Sequence, residues 1–243
     1  MRFFSFCIGF FCVILFFSAC SLGSQPIAIS PLWDELITIA APHGFEVFFD
    51  SRATHTAREL YTSGSTMING SYFGQTDSGV YYPAGLWIEK WRQIYSLEQS
   101  DPNLSHVVLY RPYGDSLTIV ANSETSEQIP MCIQNPAGCT AFQAGPLVLS
   151  GGILQDFWDS WHARESHERT LIGKTWNGKV YFFVSRKQIS LTRAGEIIAS
   201  NPIFQSDPIT VLNLDGWPST AYFDGVRWYR ETKKLPIFFR INM

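Results

Sequence analysis

Val211-Leu212-Asn213-Leu214-Asp215-Gly216-Trp217-Pro218-Ser219-Thr220 alternates apolar and polar residues and then breaks into a turn. Successive side chains of a strand point to opposite faces, so Leu212 and Leu214 share one face and Asn213 and Asp215 the other. An acid at the end of such a strand, followed by Gly216, is placed to project into a pocket. It is equally placed to cap the turn through its own backbone. Either way this is a strand ending in a polar corner.

Working outward, similar strands are read at Phe45 to Phe49, Met67 to Phe73, His106 to Tyr110, Ser116 to Ala121, Leu171 to Thr175 and Val180 to Ser185. Leu235 to Ile241 adds a late apolar strand. Trp176-Asn177-Gly178-Lys179 reads as a tight hairpin, with Asn177 and Gly178 supplying the two positive-φ positions of a type I′ turn. Helical patterns are fewer. Pro31 to Ala40 is one candidate and Pro83 to Tyr95 is ambiguous. Thr192 to Ser200 is the strongest, with Thr192 as N-cap and Ala194, Ile197 and Ile198 on one face. The expectation is an α+β fold: a strand-rich mixed sheet domain with a few packed helices.

The chain has 243 residues, 46% of them hydrophobic and 16% charged, which suits one sizeable core. Its net charge of −3, without a basic run, excludes nucleic acid as the main partner. Met1-Arg2 followed by the apolar run Phe3 to Phe17 reads as a signal peptide. The run closes on Phe17-Ser18-Ala19-Cys20, which resembles a bacterial lipobox, with Phe17 where the pattern prefers Leu. The resemblance implies that residues 1–19 are removed, that Cys20 carries lipid, that 20–31 is a tether, and that 32–243 forms the domain. The protein is then exported and anchored to a cell-envelope membrane. Cys7 and Cys12 leave with the leader. Cys132 and Cys139 remain, and the turn-rich spacer between them predicts a disulfide in an oxidising compartment.

Three more segments are unusually polar for their apolar surroundings: Met67-Ile68-Asn69-Gly70-Ser71-Tyr72-Phe73, Phe142-Gln143-Ala144-Gly145-Pro146-Leu147-Val148, and His167-Glu168-Arg169-Thr170-Leu171-Ile172-Gly173. In order, the segments Ile68-Asn69-Gly70, Gly145-Pro146, Arg169-Thr170 with Ile172-Gly173, and Leu212-Asn213-Leu214-Asp215-Gly216 with Ser219 resemble the phosphodiester glycosidase family. The resemblance covers about Phe45 to Phe223. Three departures stand out. Trp217-Pro218 replaces two glycines, Glu168 replaces a proline, and Ser185-Arg186-Lys187 replaces Asp-Gly-Arg.

The resemblance implies hydrolysis of a glycosidic bond to a phosphate mono- or diester, on a glycan or sugar-phosphate substrate. Phosphate is a good leaving group, so charge stabilisation matters more than strong acid help. Asp215 is the candidate catalytic carboxylate and Arg169 the candidate phosphate clamp. Asn69, Gly70, Thr170, Asn213, Gly216, Ser219 and Thr220 are candidate substrate contacts. No cofactor or metal-ligand set is read from the residues, since His162 and His167 are poorly spaced as ligands, and no nucleophile elbow is present for serine chemistry. Nothing suggests more than a monomer. Two other functions stay open on the same scaffold: a non-catalytic glycan-binding lipoprotein, and a purely structural envelope protein.

Overall fold

The computed structural model describes residues 35–89, 92–112, 116–134, 138–156, 161–216, 218–230 and 232–243. The leader, Cys20, the tether and Trp217 lie outside the described residues. The chain divides into Met1–Ser30 and Pro31–Met243, and the described residues all lie in the second.

Three antiparallel sheets build the domain. The first runs Leu36–Ala40, Val180–Ser185, Thr170–Thr175, Ile209–Asn213, Leu147–Ser150 and Ile153–Leu154. The second runs Trp228–Tyr229, Tyr222–Phe223, Ser65–Asn69, Ile237–Asn242 and Phe45–Phe49. The third runs Arg92–Tyr95, Trp87–Glu89, Thr140–Ala144, His106–Arg111 and Ser116–Ala121. A short ribbon pairs Phe73–Gln75 with Tyr81–Pro83. The strand-rich α+β expectation holds, with every described pairing antiparallel.

The aromatic-rich composition is largely consumed where the sheets meet. Phe45 stacks on Tyr110 at 4.0 Å between ring centroids and meets Phe182 edge-on at 5.1 Å. Phe239 joins Phe142 and Phe182 in the same core, together with Ile68, Leu212 and Leu214. Such rings bury large apolar areas and gain further from offset and edge-to-face contact. The leucines of the 211–220 stretch are therefore core residues, which fixes Asn213 and Asp215 on the opposite side of the strand.

Helix Leu191–Ala199 lies on the first sheet, burying Leu191, Ala194, Ile197 and Ile198. Its N-cap is Ser190, which accepts from the Arg193 amide at 3.1 Å, rather than Thr192. A cap needs extended backbone before the first turn, and Ser190 has it while Thr192 is already helical. The expected helix at Pro31 to Ala40 is corrected in its described part. Leu36–Ala40 is a strand paired with Val180–Ser185. Its β-branched Ile37, Thr38 and Ile39 suit an edge strand, and this outweighs the helix cue from Pro31. The ambiguous 83–95 segment holds the strands Trp87–Glu89 and Arg92–Tyr95. The hairpin forms where expected, but only Gly178 has positive φ, at 85°. Its amide donates to Thr175 O at 2.9 Å, so the loop is a tight turn closed by a glycine bulge and not type I′.

Cys132 and Cys139 form a disulfide with 5.3 Å between Cα atoms, sealing a satellite cluster of Leu86, Ile88, Val107 and Leu109. Removing it as the Cys132→Ala/Cys139→Ala double variant should cost about 2–3 kcal/mol, because the unfolded chain regains the freedom of the closed loop. Urea denaturation of both forms measures this, and equal midpoints would remove the disulfide from the account of stability.

Candidate functional site

The four polar segments converge. Asn69 ends its strand in the second sheet, and its side chain spans to the first. Its amide nitrogen donates to the Asp215 carbonyl at 3.0 Å. Its carbonyl oxygen accepts from Thr170 Oγ1 at 2.6 Å and from the Ala221 amide at 3.2 Å. The Asp215 amide closes the same junction by donating to Gly70 O at 3.3 Å. Gly70 and Gly216 are required by close approach. A Cβ at position 70 would strike the Ile237 side chain, and one at 216 would strike the Glu168 carbonyl.

The Gly145 corner joins from the third sheet. Tyr72 Oη donates to Gly145 O at 2.9 Å. Asn213 Nδ2 reaches Tyr72 Oη and donates to Leu214 O at 2.7 Å. Ser71 Oγ donates to Gln143 O at 2.5 Å. Burial and the nearby Asp215 charge keep the Tyr72 hydroxyl protonated far above the usual phenol range. It therefore serves as a neutral donor and acceptor.

Asp215 lies at the centre. Burial pushes its carboxyl up to about 7, against the lowering effects of a Ser219 hydrogen bond, the Gly216 amide and the Lys233 charge. The Gly216 amide donates to Asp215 Oδ1 at 2.8 Å. This is the local turn cap anticipated for an Asp-Gly pair. It coexists with a half-buried side chain poised to exchange a proton near neutrality.

Arg169 is fully buried. Its Nε donates to Ile189 O at 3.2 Å and its Nη2 to Glu165 O at 2.7 Å. Burial lowers its guanidinium to about 10. It remains a cation at neutral pH, covered by protein and within electrostatic reach of Tyr72. Thr170 is likewise enclosed and committed to Asn69. Among the described residues, the buried Asn213 Oδ1 and Thr220 Oγ1 find no hydrogen-bond partner. Such atoms are normally satisfied by water or ligand.

The structure thus brings together the nine residues that the sequence assigns to catalysis and substrate binding, and it distinguishes their settings. Asn69, Thr170 and most of Asn213 brace the protein itself. Asp215 is half-buried, beside the buried Ser219 and Thr220.

Sequence reasoning missed the rim. Glu168 binds Arg230 through Oε2 to Nη1 at 2.9 Å and Oε1 to Nη2 at 3.0 Å, and it accepts from Tyr229 Oη. Arg230 Nη1 also donates to Pro218 O at 3.3 Å, and Lys233 Nζ donates to the same carbonyl. Glu168 carried a signal as a departure from the family pattern. The 229–233 segment carried none. A separate cleft of about 560 Å³ is lined by Phe45, Phe49, Tyr110 and Cys139 and does not include the polar cluster.

The brace is testable by itself. Asn69→Ala strands Thr170 Oγ1, the Ala221 amide and the Asp215 carbonyl, and should cost about 3 kcal/mol in urea denaturation. A loss under about 0.5 kcal/mol, the range of an ordinary surface change, would show that the junction does not depend on it.

Comparison with known proteins accords with this geometry. The phosphodiester glycosidase family profile matches residues 64–236, which contain all four polar segments. The fold is similar to the catalytic domain of zebrafish N-acetylglucosamine-1-phosphodiester alpha-N-acetylglucosaminidase, a structure auto-inhibited by its pro-peptide. The TM-score is 0.50 and the identity 12%, over 88% of this chain and 74% of that one. A hypothetical protein from Synechocystis is similar at TM-score 0.50 and 12% identity, over 84% of this chain and 58% of that one. No curated protein sequence matches significantly. With its polar segments meeting around Asp215 inside the matched region, the chain belongs to the phosphodiester glycosidase family.

Proposed function

We propose that this protein hydrolyses the glycosidic bond between a sugar and a phosphate or phosphodiester group, on glycans of the cell envelope or its surroundings. It does so as an exported lipoprotein held to a membrane through Cys20. Family membership supports the reaction class. The leader and the Ser18-Ala19-Cys20 pattern support export and anchoring.

The observation that carries the reading is Asp215, a carboxyl raised to about 7 within a polar junction of two sheets. In its ionised form it accepts a proton from water as the water oxygen bonds to the anomeric carbon. The bond from that carbon to the phosphate oxygen breaks, and its electron pair leaves with the phosphate. The leaving group needs no strong acid. Ser219 and the Gly216 amide hold the carboxylate, and Arg169 supplies a fixed positive charge beneath the site. Arg169 acts here as a positioning and electrostatic group, because its guanidinium is covered.

One observation favours a second reading, a non-catalytic glycan-binding protein. Asn69 and Thr170, assigned to the substrate by family resemblance, spend their hydrogen bonds on the protein.

A panel of chromogenic sugar-1-phosphodiesters separates the two. The hydrolase reading expects turnover that Asp215→Asn abolishes. It also expects kcat/KM to rise with pH through about 7, as the base ionises. Glycan binding without turnover on any sugar supports the second reading. Turnover that survives Asp215→Asn removes Asp215 from the mechanism.

A further inference from the structure

Of the cations around Asp215, the one assigned to phosphate by sequence is the one that solvent cannot reach. Arg169 has no exposed surface. Two other cations lie at the rim, on the segment after strand Trp228–Tyr229. Arg230 is held by the Glu168 carboxylate at 2.9 and 3.0 Å, and its side chain stays one-third exposed. It adopts φ 48°, a left-handed conformation that costs energy for any residue but glycine. The Lys233 amide donates to Arg230 O at 3.0 Å, which ties the two cations to one another. Arg230 and Lys233 also converge on the Pro218 carbonyl, in the loop that follows Asp215.

Lys233 is the informative member. Its ammonium has three donors, and its one hydrogen-bond acceptor among the described residues is a neutral carbonyl. No carboxylate among the described residues lies within ion-pair distance of it. The half-buried ammonium is electrostatically coupled to Asp215 and Glu168, and burial and Arg230 depress its basicity. Among the described residues, Arg230 and Glu168 offset one another in charge, and Lys233 faces Asp215 without a carboxylate at ion-pair distance.

We infer that Lys233, with Arg230 pinned by Glu168, forms the phosphate subsite, gripping the phosphate oxygens of the substrate at the rim above Asp215. The inference rests on the reading that this site takes sugar-phosphate esters. It moves direct phosphate contact from buried Arg169 to Arg230 and Lys233. Glu168, where the family pattern has proline, becomes the residue that orients Arg230. Leaving phosphate oxygens would meet charge-assisted donors as the glycosidic bond breaks.

The test is calorimetric titration of the full chain in detergent micelles with inorganic phosphate at constant ionic strength. Saturable binding is expected, weakened at least ~10-fold in Lys233→Gln and in Arg230→Gln, and partly restored in Lys233→Arg. Lys233 is on the rim, so its variants keep the fold, as thermal melting verifies, even if Arg230→Gln does not. Absence of saturable phosphate binding in the wild type, or unchanged binding in Lys233→Gln, overturns the inference. The titration needs no turnover, so a failed hydrolase reading with intact, Lys233-dependent phosphate binding remains distinguishable from a failed subsite.

Discussion

The side-chain amide of Asn69 is the constraint on which the site depends. One residue at the end of a strand in the second sheet receives a hydroxyl and a backbone amide, and donates to the carbonyl of Asp215 in the first. Both ends of the amide are used, and the two residues that donate to its oxygen, Thr170 and Ala221, are buried. Without it, the ends of Ser65–Asn69 and Ile209–Asn213 would present unsatisfied polar groups to each other in a dry junction, which is costly. With it, the backbone that carries Asp215 is fixed. The aromatic core beneath, from Phe45 through Phe182 and Phe239 to Phe142, makes that junction rigid.

Burial and charge then divide the labour. The deep members of the cluster, Arg169, Thr170 and Asn69, are enclosed and hydrogen-bonded to the protein, so they act by holding geometry and potential. Asp215 sits where enclosure is incomplete. It is shielded enough for its acid to rise to about 7 and open enough to meet a ligand. Around it the rim is built from one departure from the family motifs, Glu168, and from residues outside them. Glu168, Tyr229, Arg230 and Lys233 are tied together over Pro218. On the proposed reading, the chemistry stays at Asp215 and the phosphate group is gripped by this rim.

Much of the fold was legible in the sequence because alternation reports burial directly. Leu212 and Leu214 against Asn213 and Asp215 placed the strand, its core face and its polar face together. The disulfide followed from two cysteines and a turn. What failed was local. Pro31 suggested a helix start, yet Ile37-Thr38-Ile39 completed a sheet edge, a tertiary choice that no local cue contains. Asn177-Gly178 predicted the hairpin but not its turn type, since a glycine bulge serves the same strand twist. At the site, the sequence named the residues that converge but not their depth. Arg169 looks like a clamp in one dimension and proves to be a covered cation in three. Lys233 gave no signal, because its meaning comes only from where the segment after Tyr229 returns.

The central claim is that Asp215 titrates near neutrality in a prebuilt polar junction. A carbon-13 NMR titration of aspartate carboxyls tests it most directly, with the Asp215 resonance assigned by its absence in Asp215→Asn. The account predicts a midpoint at about 7, far above the ordinary value of 3.8. A midpoint at the ordinary value would mean that the carboxyl is solvated, and that this junction does not prepare it for proton transfer.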